Sequence, residues 1–238
     1  IWVVVLLVLA IIPKNRPILG ALGNKVRGNT WRIFALGLAI GFGTNALCAA
    51  AALLNGDIHL RFDSFRPVSI VLIFIAVFVQ SSAEEVVCRG FLYQRLMRTY
   101  RSPAVAILGN ALLFAALHLT NPGVSALAVV NLAVVGLLFS LAVYYFDSFW
   151  CAAAMHTTWN FTQNIVFGLP NSGNVMPYAV FKLDAGSAAQ SFVYDPAFGI
   201  EGTAFACVVL ALTCAGIILC GQKRSARPTD IWAAESGK

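Results

Sequence analysis

Charge is scarce in this sequence: Asp, Glu, Lys and Arg make up 11% of its 238 residues, where a soluble domain carries ~25%. With 59% hydrophobic residues and a mean hydropathy of +0.80, that scarcity excludes an ordinary soluble domain. It specifies one polytopic helical membrane domain over residues 1–238. Other absences narrow the reading. There is no Cys-x-x-Cys pair, and Cys48, Cys88, Cys151, Cys207, Cys214 and Cys220 all lie in or at the ends of apolar runs. That pattern argues against a disulfide framework or a thiolate metal site, and for small packing residues. No basic block is interleaved with aromatics, so the pI of 9.2 reflects basic loops and predicts no nucleic-acid partner. No internal repeat or low-complexity stretch is visible. The chain begins inside a hydrophobic run ending at Ile12, without the basic leader of a signal peptide. The run supplies about half of the ~20 residues a span needs, and reads as a partial helix at a truncated N-terminus.

The remaining apolar runs are long and unalternating, which predicts helices and not strands. Spans are expected at about 1–12, 31–54, 68–96, 103–119, 124–146, 149–167 and 200–220. The fold class is thus all-α, a bundle with seven visible spans and eight in the full chain. Lys14, Arg16, Lys25, Arg27, Arg32, Arg95, Arg98, Arg101, Lys223, Arg224, Arg227 and Lys238 fall on one set of alternate connections. Only Arg61, Arg66 and Lys182 fall on the other. The first set and the C-terminal tail are therefore assigned to the cytoplasm. The long connection 168–199 lies on the outer face, as either an ordered cap or a mobile loop, with Tyr178, Phe181, Phe192 and Tyr194 assigned to the membrane interface.

Against this apolar background, Ser81–Tyr93 places Glu84, Glu85 and Arg89 within six residues of one another. A charge at membrane depth costs ~2.5–3.5 kcal/mol on insertion scales, so such a cluster calls for a role. Glu85 and Arg89 stand at i and i+4 and can pair on one helix face. Glu84 is rotated ~100° away and faces something else. The other polar groups at that depth are His118, closing Phe114-Ala-Ala-Leu-His118, and His156 and Asn160, one turn apart in His156-Thr-Thr-Trp-Asn160. At 1.5 Å per residue, Glu84, His118 and Asn160 lie roughly 16–22 Å from the cytoplasmic ends of their helices, and His156 roughly 10 Å. Three helices thus bring a carboxylate, two imidazoles and a carboxamide to one neighbourhood. Helix adhesion explains Asn110, Asn131 and Asn164 well enough. Titratable groups gathered at one level mark chemistry or a proton path. His59, beside Asp57 and Arg61, reads as a solvated loop residue.

Glu84-Glu85-Val-Val-Cys-Arg89-Gly90, Phe114-Ala-Ala-Leu-His118 and His156-Thr-Thr-Trp-Asn160 resemble, in order and spacing, the three signature motifs of the CAAX prenyl endopeptidase and bacteriocin-processing (CPBP, or Abi) intramembrane protease family. The resemblance covers the core 68–167, and Ala197-Phe198-Gly199-Ile-Glu201 is also similar to a stretch of some bacterial members. It implies a helical bundle that hydrolyses peptide bonds at a membrane-embedded cavity.

The chemistry follows from the residues as well. Amide hydrolysis needs an activated water, an oxyanion stabiliser and an acid for the leaving amine. Glu84 suits the general base, and His118 the partner that holds the same water. His156 and Asn160 suit donors to the oxyanion, and Glu85 a structural partner of Arg89. Ser81 and Ser82 adjoin the motif without a histidine base, and Cys88 reads as packing. No cofactor is favoured. A zinc site of Glu84, His118 and His156 is the alternative, although the sequence lacks His-Glu-x-x-His. A non-catalytic membrane scaffold or immunity protein keeping the fold is a second alternative, and a proton-relay transporter a third, disfavoured because the polar groups cluster at one level. The expected partners are the lipid bilayer and a membrane protein or peptide substrate, in a bacterial cell membrane.

Overall fold

Apolar, helix-favouring runs fold into a helical bundle, and the computed structural model describes residues 2–100, 102–224 and 228–233. Ile1, and the basic residues Arg101, Arg227 and Lys238 of the charge asymmetry, lie outside the described residues. The helices are α1 (Trp2–Ile11), α2 (Arg16–Leu22), α3 (Trp31–Leu54), α4 (Pro67–Glu85), α5 (Tyr93–Thr99), α6 (Pro103–Leu117), α7 (Ala126–Phe146), α8 (Phe149–Phe161) and α9 (Ala204–Arg224). A π-helical stretch, Val86–Leu92, joins α4 to α5 without a break, and another, Thr162–Val166, extends α8. Caps mark several boundaries: Thr30, Ser125 and Ser148 each accept a backbone N–H at the start of α3, α7 and α8, and prolines open α4 and α6.

The all-α expectation holds apart from a two-stranded ribbon, where β1 (Leu60–Phe62) pairs antiparallel with β2 (Phe181–Leu183) in register Leu60–Leu183. The count of seven or eight spans is not confirmed. Trp31–Leu54, Pro67–Thr99, Ala126–Phe146 and Ala204–Lys223 are long and apolar enough to cross a membrane, and the pair Trp2–Ile11 and Pro13–Leu22, bent by 111°, could add a fifth. Seven such helices are not found among the described residues. The reason lies in the motif helices. Pro103–Leu117 is apolar but has only 15 residues, since α6 stops at the cavity with His118 as its capping residue. The 13 residues of α8 are almost wholly buried in protein and are not shaped by lipid thickness. The segment Pro13–Thr30, expected as a connection, contains α2. These apolar helices make the chain an integral membrane protein.

The connections gather at two ends. At one, Asp147 ends α7 in the left-handed region (φ 52°), where Asp is tolerated better than most residues. Its carboxylate accepts from Arg27 N (3.1 Å) and Thr229 N (3.0 Å), and Arg98 lies over the Trp232 ring (4.4 Å). At the other end, the β-ribbon, Arg66 with Tyr178 (3.1 Å) and Asp57 with Ser191 (2.5 Å) tie segment 55–67 to segment 168–199. The Lys182 ammonium, 3.2 Å from Asp63 in the ribbon, holds that carboxyl below its ordinary range. Segment 168–199 is therefore an ordered cap. Its aromatics divide: Phe192 is exposed, whereas Tyr194, expected at the interface, is fully buried together with Phe198.

α8 lies at the centre, against α3, α4 and α7. Its approach to α3 depends on glycine: a Cβ at Gly37 would meet the Cys151 carbonyl, and one at Gly41 the Met155 carbonyl. Gly136 of α7 similarly lets the backbone at Ala111 of α6 come close. These contacts set His156 and His118 at fixed distances from α4.

Candidate active site

Glu85 and Arg89 form the foundation. Both are fully buried, and Arg89 Nη1 donates to Glu85 Oε1 at 3.0 Å. Arg89 Nη2 donates to the Gly136 carbonyl at 2.8 Å, and the guanidinium lies 4.7 Å from the Phe114 ring centroid and 5.3 Å from that of Phe139. A buried cation thus has a carboxylate, a carbonyl and two π-faces, as burial of charge demands. The same Glu85 Oε1 also accepts from His156 Nδ1 at 2.9 Å. Glu85 thus pairs with Arg89 and also bridges to the imidazole of α8, a second contact that the sequence did not indicate.

Glu84, one residue earlier, turns the other way into a cavity of about 690 Å³. Its side chain is 31% exposed there, with Oε2 at 4.0 Å from His118 Nε2 and 3.9 Å from His156 Nε2. Gln80, one turn earlier on α4, donates to Glu84 Oε1. His118 Nδ1 donates to the Phe114 carbonyl at 2.7 Å, while Phe139 stacks on His156 at 5.2 Å and 24°. With both Nδ1 atoms engaged by acceptors, both imidazoles direct Nε2 at Glu84. Asn160 lines the same cavity, with Nδ2 at 3.3 Å from Ser81 Oγ and Oδ1 accepting from Asn171 Nδ2 at 3.3 Å. Glu84, His118, His156 and Asn160, expected to converge from three helices, share this cavity. Ser81 bonds Asn160 and Gln80 and has no imidazole partner among the described residues.

Several residues at the site lack a sequence signal strong enough to find them. Gln80 is an ordinary polar residue until α4 places it at i−4 from Glu84. Glu201, Trp159, Asn171 and Ser172 also line the cavity, and only the similarity around Ala197–Glu201 pointed that way. Asn131 donates to the Glu201 and Thr203 carbonyls at 2.7 Å, tying α7 to the start of α9, and Asn164 donates to the Leu169 carbonyl at 3.0 Å. Asn131 links two elements, whereas Asn164 bonds the loop that follows its own helix. Asn110 instead bonds its own helix at Ala106.

The fit to zinc is mixed. Ligands at ~2.0–2.2 Å on a tetrahedral ion stand roughly 3.3–3.6 Å apart, so 3.9 and 4.0 Å from Glu84 to the imidazoles are too wide. Among the described residues no group of three His, Cys, Asp or Glu closes tightly enough to hold a metal. The outer partners, Glu85 on His156 and the Phe114 carbonyl on His118, are nevertheless of the kind that orients zinc-bound imidazoles. As placed, the trio does not fit the ion, and no step below passes through one.

In comparison with protein families, residues 66–162 match the family described as type II CAAX prenyl endopeptidase Rce1-like. The matched segment runs from the start of α4 to the end of α8 and contains all three motifs, while Glu201 lies outside it. Comparison with curated proteins and with solved structures returned no match.

Proposed function

We propose that this chain, whose segment 66–162 carries the Rce1-like signature, is an intramembrane endopeptidase acting on a membrane-associated protein or peptide. The observation carrying this reading is the convergence of both imidazole Nε2 atoms on Glu84 Oε2, within 4.0 Å, at the wall of a cavity. Two electron-pair donors, Glu84 Oε2 and His118 Nε2, suit a water molecule that donates one hydrogen to each, and a protonated His156 Nε2 would donate into the same space. Glu84 takes a proton from that water as its oxygen attacks the scissile carbonyl carbon, and His118 holds the water in line. The carbonyl oxygen becomes an oxyanion facing His156 Nε2 and Asn160 Nδ2. Glu84 then passes the proton to the departing amine nitrogen as the C–N bond breaks, which restores the carboxylate. His156 would donate as an imidazolium with Glu85 on its other nitrogen.

Comparative proteomics of membranes carrying wild-type protein or Glu84→Gln tests the reading. A membrane protein that accumulates uncleaved only in the variant supports it, and indistinguishable proteomes overturn it.

The Nδ1 partners of both histidines favour one alternative, a zinc peptidase using Glu84, His118 and His156. Active protein purified without metal-affinity steps is expected to contain far less than one zinc per chain and to keep its activity in chelator. Near-stoichiometric zinc, with activity lost on chelation and restored on re-addition, would replace the metal-free mechanism and leave the residues standing.

The orientation is proposed from the basic residues. Lys25, Arg27, Arg98 and the C-terminal segment gather at one end of the bundle, which we assign to the cytoplasm of a bacterial cell. In Ser102→Cys, the thiol is expected to resist an impermeant reagent in sealed cells. Labelling equal to that of an outer-loop control would reverse the assignment.

A further inference from the structure

Glu201 is a second carboxylate on the cavity wall, and no step above uses it. It comes from the short turn Ile200–Gly202, outside the spanning helices, and is 6% exposed. Oε1 accepts from Trp159 Nε1 (2.7 Å) and Asn171 Nδ2 (3.0 Å), and Oε2 from Ser172 N (2.7 Å) and Oγ (2.9 Å). Burial pushes this carboxyl upward, and the bonds from Trp159 and Ser172 oppose it. Trp159 decides where hydrogens sit. An indole N–H only donates, so Oε1 is an acceptor whatever the charge, and any proton belongs on Oε2 against the Ser172 hydroxyl.

Asn171 must therefore turn its NH2 towards Oε1. The same Nδ2 lies 3.3 Å from Asn160 Oδ1. A carboxamide is nearly symmetric in shape, so its partners decide which end points where. With a donor on one side, Asn160 presents its oxygen there and its NH2 towards Ser81 Oγ and the cavity. The turn carrying Asn171 is fixed too. Asn171 and Asn174 exchange backbone hydrogen bonds of 2.9 and 3.0 Å, with Ser172 at φ 48° and Gly173 at φ 81° between them.

We propose that Glu201 is a positioning residue: through Asn171 it decides which end of the Asn160 carboxamide faces the cavity, making Asn160 a donor. The catalytic consequence rests on the peptidase reading, but the orientation does not. A reversed Asn160 would aim an oxygen at the oxyanion, and losing one such donor costs about 10²–10³ in turnover.

Glu201→Met removes both acceptors at similar length, and kcat is expected to fall about 10- to 100-fold with KM little changed. Glu201→Gln can keep an oxygen at the Oε1 position, with its NH2 donating to the Ser172 hydroxyl and only the bond from Ser172 N lost, so it should lose less turnover than Glu201→Met. Asn160→Ala should make the Met substitution silent, because nothing remains to be oriented. Should Glu201→Met fail to fold, Asn171→Ala breaks the same link, with the same kcat loss and the same silence beside Asn160→Ala. Losses that multiply in the double variant, or a Gln variant as impaired as Met, overturn the proposal. If Glu84→Gln shows that the protein is no peptidase, the orientation is read instead from 15N-labelled asparagine side chains in micelles. The Asn160 NH2 signal should move in Glu201→Met and stay in Glu201→Gln, and an unmoved signal in both overturns the proposal.

Discussion

Glu84→Gln is expected to lower turnover by at least 10²–10⁴, the range general-base catalysis commonly supplies, while thermal unfolding in detergent stays close to wild type. The two halves of this expectation have separate causes. A glutamine keeps the shape of the side chain and an oxygen for Gln80 to donate to, but it cannot take a proton from water. Stability is spared because Glu84 is 31% exposed in the cavity and, among the described residues, has no lysine or arginine paired with it; such substitutions usually fall within ~0.5 kcal/mol. Activity and unfolding temperature measured on the same preparation check both halves. Turnover within tenfold of wild type would remove Glu84 as the base. An unfolded variant would show that Glu84, not Glu85, is the structural carboxylate.

That two adjacent glutamates face different surroundings was legible from helix geometry alone, because ~100° separates them and only Glu85 stands at i−4 from Arg89. The membrane class and most helix boundaries were legible too, since a lipid-facing run must be long and apolar. The span count was not. Hydropathy sees that residues 103–119 and 149–167 are apolar, but not that α6 stops short at His118 or that α8 is buried by protein. The convergence of Glu84, His118 and Asn160 was visible as a shared depth, with His156 one turn from Asn160, whereas the grip of Glu85 on His156 needs the packing of α8 against α4. Glu201 was least legible. Its partners Trp159, Asn171 and Ser172 come from α8 and the cap formed by segment 168–199, and no sequence spacing connects them. The two π-helical stretches after Glu85 and Phe161 carry no composition signal, although such widened turns often mark functional sites.

Glu85→Gln should instead cost both stability and turnover. Its Oε1 holds Arg89 Nη1 at 3.0 Å and His156 Nδ1 at 2.9 Å, with both members of the ion pair fully buried. A neutral amide leaves the guanidinium with the Gly136 carbonyl and two aromatic faces but no counter-charge. Breaking one side of a buried pair costs ~3–5 kcal/mol, a large fraction of the ~5–15 kcal/mol that keeps a domain folded. Turnover falls for a second reason, because His156 loses the carboxylate that fixes its ring and would balance an imidazolium in the oxyanion step. A paired substitution separates the two causes. Glu85→Gln with Arg89→Met removes the stranded charge, and replacing a buried ion pair by apolar packing is often neutral or better. Unfolding temperature should therefore recover while turnover does not, when kcat is measured well below the transition of every variant. If the single variant is as stable as wild type, the pair carries no such weight. If the double variant regains turnover, His156 is held in place by Phe139 and the packing of α8, and the carboxylate behind it is dispensable.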